Sequence, residues 1–418
     1  MTEAAARGLV GRLATGRLHY AWVMALLGLV NTACALGIGR FAFGMLLPGM
    51  QNGLGLTYGQ VGLISTSNFI GYLVGALICG RLTKVHGARR VIAGAAFLVG
   101  LSLLAVSQSS GFWAPLVLFT LTGLGSGLGN VGMVGLVVHW FRRSLRGQGS
   151  GIVVSGSGYA IMASGLIIPA VNRAFGVDGW RWGWVVLASF VIVVAVTLSV
   201  MLRGDPRDLD LEPAGTDLPP RVDGVMTERL PRAQVRRTTA HLAVIYLLFG
   251  FSYVIYVTFI VTTLVKERGW SEGAAGWFWF AVGFFSIFSG PVFGAVSDRF
   301  SRKIGLAGVF TFHLVAFSIA GLSALPNAFM YVSVVVFGVS AWSIPGIIGA
   351  MVGDYLGPMQ AVQTLGLLTV FFGIGQAVGP TIAGVIADAT GTFNSSYLMA
   401  AAASLLGLIG SLALRPTH

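Results

Sequence analysis

The sequence predicts an all-α integral membrane protein: twelve membrane-spanning helices in two six-helix bundles related by a pseudo-twofold, with both termini in the cytoplasm. Three observations carry that prediction. Only 10% of residues are charged and 55% are hydrophobic, with a mean hydropathy of +0.83, where soluble domains carry about 25% charged residues. Twelve apolar runs reach the roughly 20 residues needed to cross a bilayer. The basic residues gather almost wholly on one side of those runs.

Taken in order, the first six runs lie near residues 21–47, 58–81, 89–108, 112–140, 148–172 and 181–203. Residues 204–239 then break the pattern. They carry Pro206, Pro213, Pro219, Pro220 and Pro231 among mixed charges and read as a linker. Six further runs lie near 240–265, 272–296, 303–323, 327–353, 359–386 and 394–414. The expected division is an N-terminal bundle over 1–203, a cytoplasmic linker over 204–239 and a C-terminal bundle over 240–418. The 60 glycines suit packed membrane helices, where small residues let backbones approach.

Placing the N-terminus in the cytoplasm puts 21 of the 26 Lys and Arg on that side and leaves Arg173, Arg181, Lys266 and Arg268 outside. Arg40 alone falls inside a run and away from its ends. The net charge of +12 sits in short loops between apolar runs, so it orients the chain and does not mark a nucleic-acid partner. The basic first 17 residues read as a cytoplasmic tail, with a transit peptide as the competing reading. Cys34 and Cys79 fall on different runs, giving neither a disulfide nor metal-ligand spacing. No metal, cofactor or catalytic group is expected, and no enzymatic activity. The lipid bilayer is the expected surroundings, with the single chain acting as a monomer.

The chain also repeats itself. GRLTKVHGARR begins at Gly80 after the second run, and GAVSDRFSRK begins at Gly294 after the eighth. Their offset of about half the chain implies parallel repeats, which place a substrate near the midplane between the halves. With its paired loops, twelve runs and central linker, the whole chain resembles the major facilitator superfamily of secondary transporters. That family's loop signature is roughly G-x-L-A-D-R-x-G-R-R. The second copy keeps Gly294, Asp298, Arg299, Arg302 and Lys303. The first keeps Gly80, Leu82, Gly87, Arg89 and Arg90 but has Lys84 where the Asp is expected. The resemblance implies that Gly80, Lys84, Asp298 and Arg299 take part in conformational gating, with the acidic latch lost from the first copy. GIGRFAFGMLLP, GYLVGAL and GIGQAVGPTIAGVIAD further resemble the bacterial YbfB/YjiJ-like transporters. The drug-antiporter motif of the fifth run is missing. A partial version, Gly375, Gly379, Pro380 and Gly384, sits in the eleventh run, where close helix packing accounts for it.

The resemblance implies that the first, fourth, seventh and tenth runs line the cavity. Arg40 lies on the first. Helical spacing gives it a face shared with Ala33, Leu36, Gly37, Phe43 and Gly44. A guanidinium at membrane depth is costly and marks a pathway, and its fork suits a carboxylate or phosphate. The competing reading has Arg40 capping carbonyls of a broken helix or reaching the interface. The seventh run carries Tyr253 and Tyr256 in an aromatic stripe, which is either packing or a binding wall. Asn130, Trp342 and Gln376 are polar groups that must be satisfied within the bilayer, by a neighbouring helix or by substrate. Asn68 and Tyr159 are weaker candidates, and His313 reads as structural.

No Asp or Glu falls at mid-membrane depth, so the candidate cavity charge is positive. The expectation is a secondary transporter moving a small organic anion, a carboxylate, by alternating access, with proton coupling or anion exchange. Arg40, Asn130, Tyr253, Tyr256, Trp342 and Gln376 are the expected substrate contacts. The alternative is a proton-driven exporter of hydrophobic or cationic compounds, which the aromatic residues suit and the missing buried carboxylate opposes.

Overall fold

The computed structural model describes residues 19–216, 232–356 and 358–414, and among these it is helical throughout, with no strand. The described residues open with α1 (Tyr20–Thr32), which widens into a π-helical stretch (Ala33–Phe41) and returns to α2 (Ala42–Leu54). It continues as α3 (Tyr58–His86), α4 (Ala88–Ser107), α5 (Trp113–Trp140), α6 (Arg146–Phe175) and α7 (Gly179–Met201). After the linker come α8 (Arg232–Thr262), α9 (Glu272–Arg299), α10 (Arg302–Gly321), α11 (Phe329–Ser340) and α12 (Ser343–Leu356). The chain closes with α13 (Pro358–Thr390) and α14 (Asn394–Ala413).

Eleven helical runs among the described residues are long and apolar enough to cross a membrane. Where two runs are expected, at 148–172 and 181–203, the structure has a helical stretch of 56 residues, Arg146–Met201. Only a three-residue 3₁₀ turn, Gly176–Asp178, separates α6 from α7 within it. The tenth expected run breaks instead into α11 and α12. Pro345 is the cause, because a proline ring clashes with the carbonyl four residues back, here that of Ala341. α8 starts at Arg232, eight residues before its apolar run, so the helix outlasts the apolar stretch.

By packing, the chain divides into two units. The first takes 1–43, 70–161 and 171–223, and the second takes 44–69, 162–170 and 224–418. The core of the first is aromatic at its ends, where Tyr20 meets Trp140 at 5.5 Å and Phe119 meets Trp184 at 5.5 Å between ring centroids. At its centre α3 and α5 cross with their backbones touching. A Cβ on Gly71 would stand 2.1 Å from the Thr120 carbonyl oxygen, and one on Gly127 would stand 2.2 Å from that of Tyr72. Each of these crossings therefore requires glycine.

The second unit is held by a stack of parallel rings. Tyr246 and Phe372 lie 4.5 Å apart, and Phe249 and Tyr253 lie 4.9 Å apart. In the same unit the start of α3 is tied to the end of α13. Asp388 accepts the backbone N–H groups of Tyr58 at 2.7 Å and Gly59 at 2.8 Å. Thr66 Oγ1 bonds Thr381 Oγ1 at 2.7 Å and also the Ala377 carbonyl. Beside them Lys266 donates to Gln51 at 2.7 Å and Asn52 at 2.8 Å.

Candidate functional site

The π-helical stretch sets the position of Arg40. Its bonds run from residue i to i+5, as from the Ala42 N–H to the Gly37 carbonyl, and such insertions recur at functional sites. The glycine-rich sequence GIGRFAFG permits the widening. The face expected from regular helical spacing is redistributed by it. Leu36 and Arg40 are half-buried, while Ala33, Gly37, Phe43 and Gly44 are buried.

Arg40, Tyr72 and Asn130 form one cluster in the first unit. The Arg40 guanidinium carbon stands 4.3 Å from the centroid of the Tyr72 ring. Asn130 Nδ2 donates to the Tyr72 hydroxyl at 3.1 Å. All three side chains are half-buried. Asn31, two residues before the π stretch, is buried and donates to the Gly129 carbonyl at 3.1 Å, which fixes α1 against α5 beside Asn130. The described acidic residues of this unit, Asp178, Asp205, Asp208, Asp210 and Glu212, all lie at or beyond helix ends. The cluster thus holds one guanidinium and one amide as donors, the amide bonded to the Tyr72 hydroxyl.

The expected residues of the second unit divide differently. Tyr253 is 2% exposed, its hydroxyl accepts from Gln376, and its ring meets Trp342 edge-on at 5.6 Å. Trp342 is half-buried at the break between α11 and α12, where its backbone N–H donates to Ser289 Oγ at 3.3 Å. Tyr256 is fully buried, and its hydroxyl lies 2.8 Å from that of Ser333. Its ring packs against Phe337 at 4.4 Å and Phe317 at 5.4 Å. Those contacts are packing. His313 is buried beside the same rings, 5.3 Å from Phe317. Asn68 is buried, and Tyr159 is exposed on α6.

Of the loop residues, Gly80 and Lys84 lie exposed on the last turns of α3. In the second copy Asp298 pairs with Arg302, and Arg302 Nε donates to Asp354 at 2.7 Å. Arg299 stacks its guanidinium near Phe300 at 5.9 Å. The acidic member that the first copy lacks is thus engaged in the second.

Sequence reading missed Tyr72. The signal lay in GYLVGAL, where Gly71 and Gly75, four residues apart, bring α3 onto α5 and turn Tyr72 toward Asn130.

Among curated relatives, the hexuronate transporter of Bacillus subtilis (strain 168) is 25% identical over 381 residues, 86% of this chain and 87% of that one. The 4-hydroxybenzoate transporter PcaK of Pseudomonas putida is 25% identical over 305 residues, 66% of this chain and 67% of its own. Among solved structures, the bacterial homologue of the human lysosomal transporter Spinster, inward-facing and unoccupied, superposes with a TM-score of 0.71 at 17% identity. It covers 95% of this chain and 94% of that one, a likeness of fold. The family described as "Uncharacterised MFS-type transporter YbfB" matches residues 32–412. That match runs from the π-helical stretch through α14, and the chain belongs to this family of membrane transporters.

Proposed function

We propose that this transporter moves a small organic anion, a carboxylate, and that Arg40 is its anchor. The observation that carries the reading is the cluster of Arg40, Tyr72 and Asn130: a half-buried guanidinium at membrane depth, backed by a ring and an amide, with every described acid of its unit at or beyond a helix end. A bidentate fork matches a carboxylate. Two relatives support the class, since hexuronate and 4-hydroxybenzoate are both organic anions. The architecture we propose is two six-helix bundles, 1–203 and 240–418, joined by the linker 204–239. The 56-residue run Arg146–Met201 then crosses the membrane twice, because at 1.5 Å per residue it is far longer than the roughly 30 Å hydrocarbon core. This gives twelve crossings and cytoplasmic termini in a bacterial inner membrane. The monomer works by alternating access, coupled to protons or to anion exchange. Gly80, Lys84, Asp298 and Arg299 belong to the loops that change partners as the halves move, and Gln376 acts by holding Tyr253.

The test is uptake into liposomes containing only this protein, with labelled benzoate, 4-hydroxybenzoate and glucuronate set against labelled organic cations. Uptake of a carboxylate by the wild type and its loss in Arg40→Ala are expected. Transport confined to cations, or an Arg40→Ala variant as active as wild type, would refute the assignment.

A further inference from the structure

We propose that Tyr72 is the positioning residue of the anion site, holding the Arg40 guanidinium in place, and that Asn130 acts through Tyr72 and not on the substrate. The inference rests on the reading of Arg40 as carboxylate anchor. Its first support is the stacking itself, at 4.3 Å from guanidinium carbon to ring centroid. Cation–π stacking engages the flat face of a guanidinium and leaves its N–H edge to other partners. Stacking on a ring does not by itself neutralise a guanidinium.

The second support is that Tyr72 is itself fixed at both ends. Its backbone is clamped against α5, where Gly127 leaves no room for a Cβ beside the Tyr72 carbonyl. Its hydroxyl is held by Asn130 at 3.1 Å. Asn130 thus spends a donor on the tyrosine, and removing either the amide or the hydroxyl breaks the same bond. The third is accessibility: all three side chains are half-buried, while Asn31 beside them is closed off at 1% exposure.

The experiment measures Kd on purified protein by ligand-dependent thermal shift. The probe is whichever of benzoate, 4-hydroxybenzoate and glucuronate stabilises wild type most. Tyr72→Phe keeps the ring and is expected to weaken binding about threefold, and Asn130→Ala by a similar factor. The double variant should be no weaker than either alone, since coupled residues depart from additivity. Tyr72→Leu removes the ring and should cost on the order of tenfold or more. If Tyr72→Leu does not fold, the Tyr72→Phe and Asn130→Ala cycle still decides. Effects that multiply in the double variant would show Asn130 acting on substrate by itself and overturn the inference. So would wild-type affinity in the Tyr72 variants alongside lost binding in Arg40→Ala. Wild-type affinity in Arg40→Ala, or no stabilisation by any of the three carboxylates, would instead sink the anion reading, and the inference with it.

Discussion

Replacing Asp388 should loosen the start of α3. This carboxylate, at the end of α13, accepts the first two N–H groups of a 29-residue helix at 2.7 and 2.8 Å. Those groups have no intrahelical acceptor, and the positive end of the helix dipole favours an anion there. Loss of an N-cap acceptor costs about 0.5–2 kcal/mol, and loss of the charge near the dipole a further 0.3–1 kcal/mol or so at an exposed site. Asp388 is exposed, so the low end applies. Asp388→Ala should cost about 0.8 kcal/mol. Asp388→Asn, which keeps one oxygen acceptor, should cost about half of that. For a large chain each kcal/mol moves the melting temperature by roughly 2–4 °C, so a fall of about 2–3 °C is expected for the alanine variant. A second readout is thiol labelling. Leu56 is 7% exposed just before α3, and Leu56→Cys should label faster with a membrane-impermeant maleimide when Asp388→Ala is added. Both natural cysteines, Cys34 and Cys79, are buried and give a low background. Unchanged melting together with unchanged labelling would refute the claim that Asp388 anchors this helix start.

Three further outcomes follow from the packing. Gly37→Ala should destabilise the protein by about 1–3 kcal/mol, the usual cost of overpacking, because its Cβ would stand 2.1 Å from that of Ala160; a melt like wild type would show that the π-helical stretch is not seated against α6 as described. Tyr256→Phe should lower stability by roughly 0.5–1.5 kcal/mol through loss of the Ser333 bond and leave the KM for carboxylate unchanged, whereas a raised KM would mean that Tyr256 reaches the substrate. Arg302→Ala breaks pairs with Asp298 and Asp354 whose side chains are 69% and 52% exposed, so its effect on stability should stay under about 1 kcal/mol and fade in high salt. An effect that persists at high salt would point to packing in place of charge.

Sequence by itself determined the class of this protein. Twelve apolar runs and a one-sided set of basic residues suffice, because a bilayer leaves a chain few ways to satisfy its backbone. The loops at Gly80 and Gly294 carried the internal repeat, and Arg40 announced itself because a lone guanidinium within an apolar run demands a reason. The sequence did not show which polar residues stand together. Regular helical spacing put Arg40 on a face with Gly37 and Phe43, but a stretch bonded from i to i+5 turns that face. Asn130 read as a partner of substrate or of a neighbouring helix, and its amide bonds Tyr72. Tyr256 read as packing or as a binding wall, and it is buried among rings. Burial and partner choice depend on which helices lie side by side, and here glycines such as Gly71 and Gly127 set those crossings. A glycine shows where a close approach is possible; only the tertiary structure shows what approaches.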